Sequence, residues 1–198
     1  MTTDLTLALM MFAFASSITP GPNNLMLMTS GVNYGFKQTL PHMFGVTFGF
    51  IFMAILVGLG ITKLFEIFPI TYTILTSLCV LYMFFLAYKI ATSKEIGTAH
   101  NLSAKPMTFV QAVLFQWVNP KAWSMALTAI SVYAPSNTIG AILLVACLFG
   151  AVNLPCITGW VVIGTKIKRL LQKPSHLRIF NATMAGLLVL SLYPLFFS

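Results

Sequence analysis

The sequence predicts an all-α polytopic membrane protein that crosses the bilayer six times. Its 198 residues are 58% hydrophobic and only 7% charged, with a mean hydropathy of +0.91, whereas an ordinary soluble domain is about 25% charged. The apolar stretches approach or exceed the roughly 20 residues that a helix needs to span the hydrocarbon core. They lack the sustained alternation of polar and apolar residues that marks the strands of a membrane β-barrel, so we expect helices.

Six apolar stretches follow one another and leave no room for a second domain, so residues 1–198 are expected to form a single membrane domain. The predicted spans are residues 5–30, 39–61, 67–91, 107–133, 138–164 and 179–197. The segment before the first span carries Asp4 and no Lys or Arg, so we expect a retained span rather than a cleaved signal peptide.

Basic residues concentrate in three connections, and this bias predicts the orientation, because Lys and Arg accumulate on the cytoplasmic side. The connections after spans one, three and five hold Lys37, Lys89, Lys94, Lys105, Lys166, Lys168, Arg169, Lys173 and Arg178. The connections on the other side hold only Lys63. We therefore expect both termini on the outer side of the membrane, away from the cytoplasm. A lipid-headgroup patch at residues 168–178 predicts the same orientation.

Six spans with both termini on one side divide into two halves of three, residues 1–98 and 99–198, which enter the membrane from opposite faces. We therefore expect any internal repeat to be inverted, with polar interruptions at corresponding places. The interruptions are Thr19-Pro20-Gly21-Pro22-Asn23-Asn24 in span one and Trp117-Val118-Asn119-Pro120-Lys121 in span four. For the glycines of the second span in each half we expect close helix packing: Gly45 and Gly49, and Gly150.

The two prolines of the first interruption predict that the helix opens there. Pro20 and Pro22 lack amide donors, and their rings clash with carbonyls one turn earlier. Freed backbone groups cost several kcal/mol each in hydrocarbon unless protein or water satisfies them, so we expect the opened turn to line a polar cavity. The alternative is a structural kink satisfied by the hydroxyls of Ser16, Ser17 and Thr19.

Lys121 lies within span four, about 12 residues or roughly 18 Å from the inner boundary, which is too deep for its stem to reach the surface. No span offers a carboxylate, because Asp4 is terminal and Glu66 and Glu95 lie in connections. Beside the restarted half-helix at Pro120, Lys121 is therefore expected to bind a substrate carboxylate. Alternatively, it pairs with carbonyl oxygens of the opened turn in span one, or desolvation keeps it deprotonated.

Amide side chains around both interruptions suit a zwitterion. A substrate ammonium would find acceptors in the exposed carbonyls and in the amide oxygens of Asn23 and Asn24. Gln116 and Asn153 are further polar groups at depth, and a helix-to-helix hydrogen bond is the alternative to substrate contact for both. The candidate substrate-binding residues are Pro20, Gly21, Pro22, Asn23, Asn24, Gln116, Asn119, Pro120, Lys121 and Asn153.

Few other side chains could carry proton, metal or redox chemistry. His42 follows Pro41 in span two, and its imidazole makes it the proton-coupling candidate, with a satisfied structural histidine as the alternative. The cysteines Cys79, Cys147 and Cys156 show no metal-ligand spacing and are expected to be small buried hydrophobes. We expect neither a metal nor a cofactor.

These motifs resemble those of the LysE/RhtB family of bacterial amino-acid exporters. The likeness rests on residues 19–24, on Gly45 and Gly49, and on Gln116-Trp117-Val118-Asn119-Pro120-Lys121-Ala122, and it covers essentially the whole chain in length and span number. It implies a multi-pass carrier in the bacterial inner membrane that exports an amino acid or close derivative, such as lysine, homoserine, threonine, leucine, cysteine or O-acetylserine. It also implies that the proton motive force drives export.

Other classes of protein remain as alternatives. An importer or facilitator of the same fold would show the same pattern, and a non-transporting membrane subunit would have broken turns that enclose no cavity. An intramembrane enzyme would need paired acids or a nucleophile with a base, for which only Ser16 or Ser17 with His42 is available. The basic residues line no aromatic-interleaved face, so we expect no nucleic-acid partner. The expected partners are an amino acid and the bilayer, and a homo-oligomer is compatible with the sequence.

Overall fold

The computed structural model describes residues 1–61, 67–92 and 106–193, and within these ranges the chain is helical, without a strand. The α-helices are α1 (Thr3–Ile18), α2 (Pro22–Tyr34), α3 (Phe36–Gly58), α4 (Pro69–Ala91), α5 (Phe109–Phe115), α6 (Pro120–Tyr133), α7 (Ile139–Ile167) and α8 (Pro174–Leu190). Short 3-10 helices occur at Gln116–Val118 and Leu170–Gln172. The all-helical class is therefore confirmed for the described residues.

Three of the described helices are long and apolar enough to cross a membrane: α3, the Thr73–Ala91 part of α4, and α7. α1 and α2, which are bent by 55° at a short break, pass the same test as one span. The other two predicted spans do not appear as single long helices, because residues 107–133 are divided between α5 and α6, and α8 has 17 residues. Residues 194–197 lie outside the described ranges, so the count of six spans remains a prediction.

Local sequence signals explain where the first helices begin and end. Thr2 caps α1, because its hydroxyl accepts a hydrogen bond from the Leu5 amide at 3.3 Å. Gly35 has a φ of +79° between α2 and α3, a conformation that glycine adopts without strain. This tight turn lets α3 begin at Phe36, ahead of the predicted start at residue 39.

α7 lies at the centre of the bundle and packs against α1, α2, α3 and α6. Its contact with α2 is a backbone contact made through glycines. A Cβ added at Gly31 of α2 would lie 2.5 Å from the Val161 carbonyl oxygen, and one added at Gly164 of α7 would meet the Met28 carbonyl oxygen. This close approach holds the break that precedes α2 beside the middle of α7.

The glycines for which close packing was expected also lie at helix contacts. A Cβ added at Gly45 of α3 would lie 2.5 Å from the Phe109 carbonyl oxygen, and one at Gly49 would lie 2.8 Å from Val113 Cα. Gly150 of α7 lies against a side chain of α3. α5 and α7 therefore both approach α3 closely, while α4 packs against α8 at the side of the bundle.

Part of the charge pattern behind the predicted orientation lies outside the described ranges, namely Lys63, Lys94 and Lys105. Basic residues lie on both sides of the 3-10 helix Leu170–Gln172, from the last turn of α7 to the first turns of α8, and the exposed ones are Lys166, Arg169, Lys173 and Arg178. The orientation of the termini therefore stays a prediction.

Candidate functional site

The first predicted interruption is a break between α1 and α2. α1 ends at Ile18, Thr19 and Gly21 have extended backbones, and α2 begins at Pro22. Pro20 and Pro22 cannot donate to the carbonyls at the end of α1. Because those carbonyls lie in an apolar bundle, they need donors from elsewhere.

Side chains of two helices donate to the carbonyls that this break exposes. Asn24 of α2 donates from Nδ2 to the carbonyl oxygens of Ser17, at 2.7 Å, and Thr19, at 2.8 Å. Trp160 of α7 donates from Nε1 to the Ile18 oxygen at 3.3 Å. Amide and indole donors thus replace part of the hydrogen bonding that a continuous helix would supply.

The second interruption is a break between α5 and α6, where the 3-10 turn Gln116–Val118 leads into Asn119. Asn119 has a non-helical backbone and caps α6, because its Oδ1 accepts a hydrogen bond from the Lys121 amide at 3.1 Å. Pro120 takes the first helical position, where a missing N–H removes no hydrogen bond. The break therefore places Lys121 in the first turn of α6.

Lys121 connects the two breaks. Its Nζ donates to the Thr19 carbonyl oxygen at 2.8 Å, to the Thr19 hydroxyl at 2.9 Å and to the Pro20 carbonyl oxygen at 3.3 Å. Its stem passes over Gly21, where an added Cβ would lie 2.7 Å from Lys121 Cδ. Of the arrangements expected from the sequence, the structure contains the one in which Lys121 pairs with the opened turn of span one.

The charge of Lys121 is balanced by oxygen dipoles and not by an ion within the described ranges, where Asp4 at the start of α1 is the sole acidic residue. The lysine is half-buried. Its hydrogen bonds to the carbonyl oxygens are already charge-assisted, and a carboxylate would add the attraction of a full negative charge. A carboxylate that reached Lys121 would therefore compete with the carbonyl oxygens of Thr19 and Pro20.

A second contact between the breaks is made by two amides. Asn23 Nδ2 donates to Gln116 Oε1 at 2.9 Å, and Gln116 Nε2 donates to the Ala112 carbonyl oxygen at 2.9 Å and to Asn23 Oδ1 at 3.5 Å. Gln116 is completely buried. In the structure it makes the helix-to-helix hydrogen bond that the sequence left as the alternative to substrate contact.

Asn153 of α7 faces the first break from the opposite side. Its Nδ2 donates to the Ser17 hydroxyl at 3.0 Å, and its side chain is 5% exposed. Its Oδ1 has no hydrogen-bond partner within the described part of the chain. A buried acceptor without a donor costs about 1–3 kcal/mol, so this atom needs a functional or structural explanation.

The two breaks and α7 enclose a small polar cavity of about 20 Å³. Seven of its ten lining residues have polar side chains, and Met125 and Ile157 contribute apolar ones. Its lining residues are Ser16, Ser17, Gly21, Asn23, Asn24, Asn119, Lys121, Met125, Asn153 and Ile157. The structure thus brings together breaks that are about 100 residues apart in the sequence, and the candidates Pro20, Pro22, Gln116 and Pro120 shape this cavity without lining it.

Some residues of the cavity were not among the sequence candidates. Met125 follows Lys121 by one helical turn, and Ile157 follows Asn153 by one turn, so helical spacing from the polar candidates identifies both. Trp160 was not among the sequence candidates either, yet its Nε1 donates to the Ile18 carbonyl of the first break. It lies two turns after Asn153 on the same face of α7, which is the signal that could have found it.

His42 is not part of the cavity lining. It is 1% exposed, and both of its ring nitrogens lack a hydrogen-bond partner among the described residues. Cys79 and Cys156 are buried as expected, but Cys147 is exposed on α7, which corrects the expectation for that residue. No group of three His, Cys, Asp or Glu residues that could hold a metal occurs in the described ranges.

Broken helices around a polar cavity in an apolar bundle are typical of membrane transport proteins. The chain belongs to the LysE type translocator family, whose model matches residues 14–192. It is therefore a multi-pass membrane transporter rather than an enzyme, and the family resemblance found in the sequence is confirmed.

Several relatives carry names that state a transport activity. The chain is 32% identical to the cysteine/O-acetylserine efflux protein of Escherichia coli strain K12 in an alignment 198 residues long that covers 96% of each chain. It is 32% identical to the protein of that name from Shigella flexneri over 187 residues, which cover 90% of each chain. No solved structure matches the chain.

Proposed function

We propose that this chain exports an amino acid or a close derivative across the bacterial inner membrane and binds its substrate at the cavity between the two breaks. The contact of Lys121 with Thr19 and Pro20 carries this proposal. A cation without an acidic partner offers donors to a carboxylate, and the polar groups around it offer acceptors to an ammonium. The relatives named as cysteine/O-acetylserine efflux proteins support an amino-acid substrate and outward transport.

The size of the cavity supports a closed arrangement of this site. A volume of about 20 Å³ has room for about one water molecule, which is far less than an amino acid needs. Substrate binding would therefore separate the breaks, with the substrate carboxylate replacing the Thr19 and Pro20 oxygens as the partner of Lys121. The α1–α2 break would then be free to change its angle as access alternates between the two sides.

The finer topology is also part of the proposal. We infer that residues 1–98 and 99–198 form an inverted repeat with both termini outside. Two features support it. Each half contains a broken helix that restarts at a proline, Pro22 or Pro120, and four of the six exposed basic residues of the described ranges lie at or near the connection between α7 and α8. Matching breaks in two halves are a feature of transporters that rock around a central site.

Transport by inside-out membrane vesicles tests the proposed function. Vesicles energised with NADH are given labelled cysteine, O-acetylserine, threonine, leucine and lysine, with and without a protonophore, and vesicles lacking the chain are the control. We expect energy-dependent accumulation of at least one amino acid that the protonophore abolishes. Accumulation only in right-side-out vesicles would indicate an importer, and equilibration without accumulation would indicate a facilitator. If none of these amino acids is transported, the proposal is refuted.

We further propose that the proton motive force drives export and that His42 binds the proton. Its two unpartnered ring nitrogens in a buried position support this role, because an imidazole can take up and release a proton. The test is His42→Gln, which keeps polar atoms but cannot titrate. We expect it to lose accumulation while retaining exchange of labelled for unlabelled substrate. Full accumulation by His42→Gln would exclude His42 as the proton carrier.

A further inference from the structure

Some polar groups of the cavity already make hydrogen bonds within the protein, and others do not. Asn23 is paired with Gln116, and Asn24 donates to the opened turn. The Asn119 side chain accepts from the backbone of α6. The amide oxygens of the first interruption, which were the acceptors expected for a substrate ammonium, therefore sit on side chains that hold the breaks together.

Asn153 is the exception. Its Nδ2 is held by Ser17, which fixes the orientation of the amide, while its Oδ1 is buried and lacks a donor within the described residues. An acceptor kept in place by its own amide nitrogen is ready to bind a donor from outside the protein. Asn153 lines the same small cavity as Lys121, so a donor that reached this buried oxygen on opening of the cavity would lie close to the lysine.

We infer that Asn153 Oδ1 binds the ammonium of the substrate while Lys121 binds its carboxylate, an inference that rests on the proposed function. The two groups lie on different helices, α7 and α6, and both line the cavity. A zwitterion would bridge them, because it carries an anion for Lys121 and a donor for Asn153. The site thereby distinguishes an amino acid from a carboxylic acid that lacks the amine.

The residues around these two binding groups also indicate what kind of side chain the substrate has. Met125 lies one turn beyond Lys121 and Ile157 lies one turn beyond Asn153, and both line the cavity, so each binding group has an apolar side chain one helical turn away. No carboxylate lines the cavity, and a second cation on the substrate would be repelled by Lys121. The substrate class is therefore an α-amino acid with a short, uncharged side chain, and lysine and arginine are excluded.

Competition against labelled L-cysteine in the inside-out vesicles, kept under reductant, tests this assignment. The competitors are unlabelled L-cysteine, 3-mercaptopropionate, which lacks the ammonium, and L-lysine. For the wild-type chain we expect L-cysteine to compete about 10- to 100-fold better than 3-mercaptopropionate and L-lysine to compete poorly. Equal competition by L-cysteine and 3-mercaptopropionate, or strong competition by L-lysine, would overturn the inference.

Three variants separate recognition from structure. Asn153→Leu keeps the approximate volume of the side chain. We expect it to lower the affinity for L-cysteine to the level of 3-mercaptopropionate, and to leave the affinity for 3-mercaptopropionate unchanged. Ser17→Ala removes the partner of Asn153 Nδ2 and frees the amide to rotate but leaves Oδ1, so the preference should fall less than in Asn153→Leu. Asn153→Asp keeps an oxygen acceptor and adds a charge, so it should strengthen the preference even if Asn153→Leu does not fold.

The outcomes distinguish the inference from the proposed function. If wild-type vesicles transport no amino acid, the proposed function fails and this inference fails with it. If they transport L-cysteine but Asn153→Leu keeps the full preference over 3-mercaptopropionate, the inference alone is wrong. A loss of the preference in Asn153→Asp would likewise assign Asn153 a structural role only.

Discussion

The ammonium of Lys121 supplies donors to oxygens that the non-helical backbone at Thr19 and Gly21 leaves exposed at the first break. Lys121 Nζ reaches three oxygens of Thr19 and Pro20 across the bundle. A buried positive charge is costly in a membrane protein unless dipoles or anions compensate it. At Lys121 the opened turn and the cation therefore stabilise each other, and each would be unfavourable alone.

Lys121→Met should lower both stability and transport. The methionine keeps a similar length but leaves the Pro20 carbonyl without its lysine donor, at about 1–3 kcal/mol, and the Thr19 carbonyl with Asn24 as its remaining donor. This outcome differs from the one that the carboxylate interpretation alone predicts, in which stability would stay normal. Thermal unfolding of the purified protein in detergent and export by inside-out vesicles measure the two effects.

The matched control is Lys89→Met. Lys89 is an exposed lysine near the end of α4, 5.8 Å from the centre of the Phe85 ring, and it does not line the cavity. We expect export and melting temperature close to those of the wild type. Normal stability and normal export of Lys121→Met would remove the lysine from both the structural and the transport account.

Gly21→Ala should displace Lys121 without straining the backbone. The extended φ of −177° at Gly21 is open to any residue, but a Cβ there would lie 2.7 Å from Lys121 Cδ and 3.1 Å from Nζ. Because the lysine stem is flexible, we expect export to fall while the melting temperature changes less than in Lys121→Met. Equal loss of stability in both variants would show that the backbone, and not the lysine, is disturbed.

The break positions, but not their partners, could be predicted from the sequence. Proline and asparagine locate the interruptions at residues 19–24 and 117–121, since proline acts within one turn of its own position. For Lys121 the sequence offered the opened turn of span one as an alternative partner but could not name the residue, because a carbonyl oxygen is present at every residue and only the packing of α6 against α1 selects Thr19. The unpartnered oxygen of Asn153 likewise depends on how α7 is rotated.

The contact between α2 and α7 provides a prediction about helices rather than side chains. Gly164→Ala would place a methyl group against the Met28 carbonyl, and backbone cannot move aside as a flexible side chain can. We expect a loss of about 1–3 kcal/mol in unfolding free energy. Gly159→Ala on the same helix, where nothing lies within 4 Å, is the control and should be neutral or stabilising. Equal stability of the two variants in detergent would contradict the close contact.

At the scale of the whole molecule, the central helix and the two breaks form one unit. α7 contacts α1, α2, α3 and α6, so it touches both helices of the first break and the helix that follows the second. A change in the angle at either break would therefore reach the other through α7. The six-span topology that would let this motion alternate access is expected from the sequence and supported by the matching breaks.

Reporter fusions test the predicted topology. A fusion at Lys173, which is exposed between α7 and α8, should give a cytoplasmic signal, and so should one at Lys94. A fusion at Ser198 should give a periplasmic signal; Lys94 and Ser198 lie outside the described ranges. A cytoplasmic signal at Ser198 would exclude both the orientation and the inverted repeat.

Substrate protection of a cysteine placed in the cavity tests most directly whether substrate binds between the breaks. Met125→Cys is made in a chain whose three native cysteines are replaced by alanine, and its reaction with N-ethylmaleimide is followed with and without O-acetylserine. Ser175→Cys, exposed at the start of α8, is the reactive control. A substrate bound between the breaks should slow the reaction at Met125→Cys several-fold and leave Ser175→Cys unchanged, whereas unchanged rates at both positions, in vesicles that transport O-acetylserine, would contradict a binding site at this cavity.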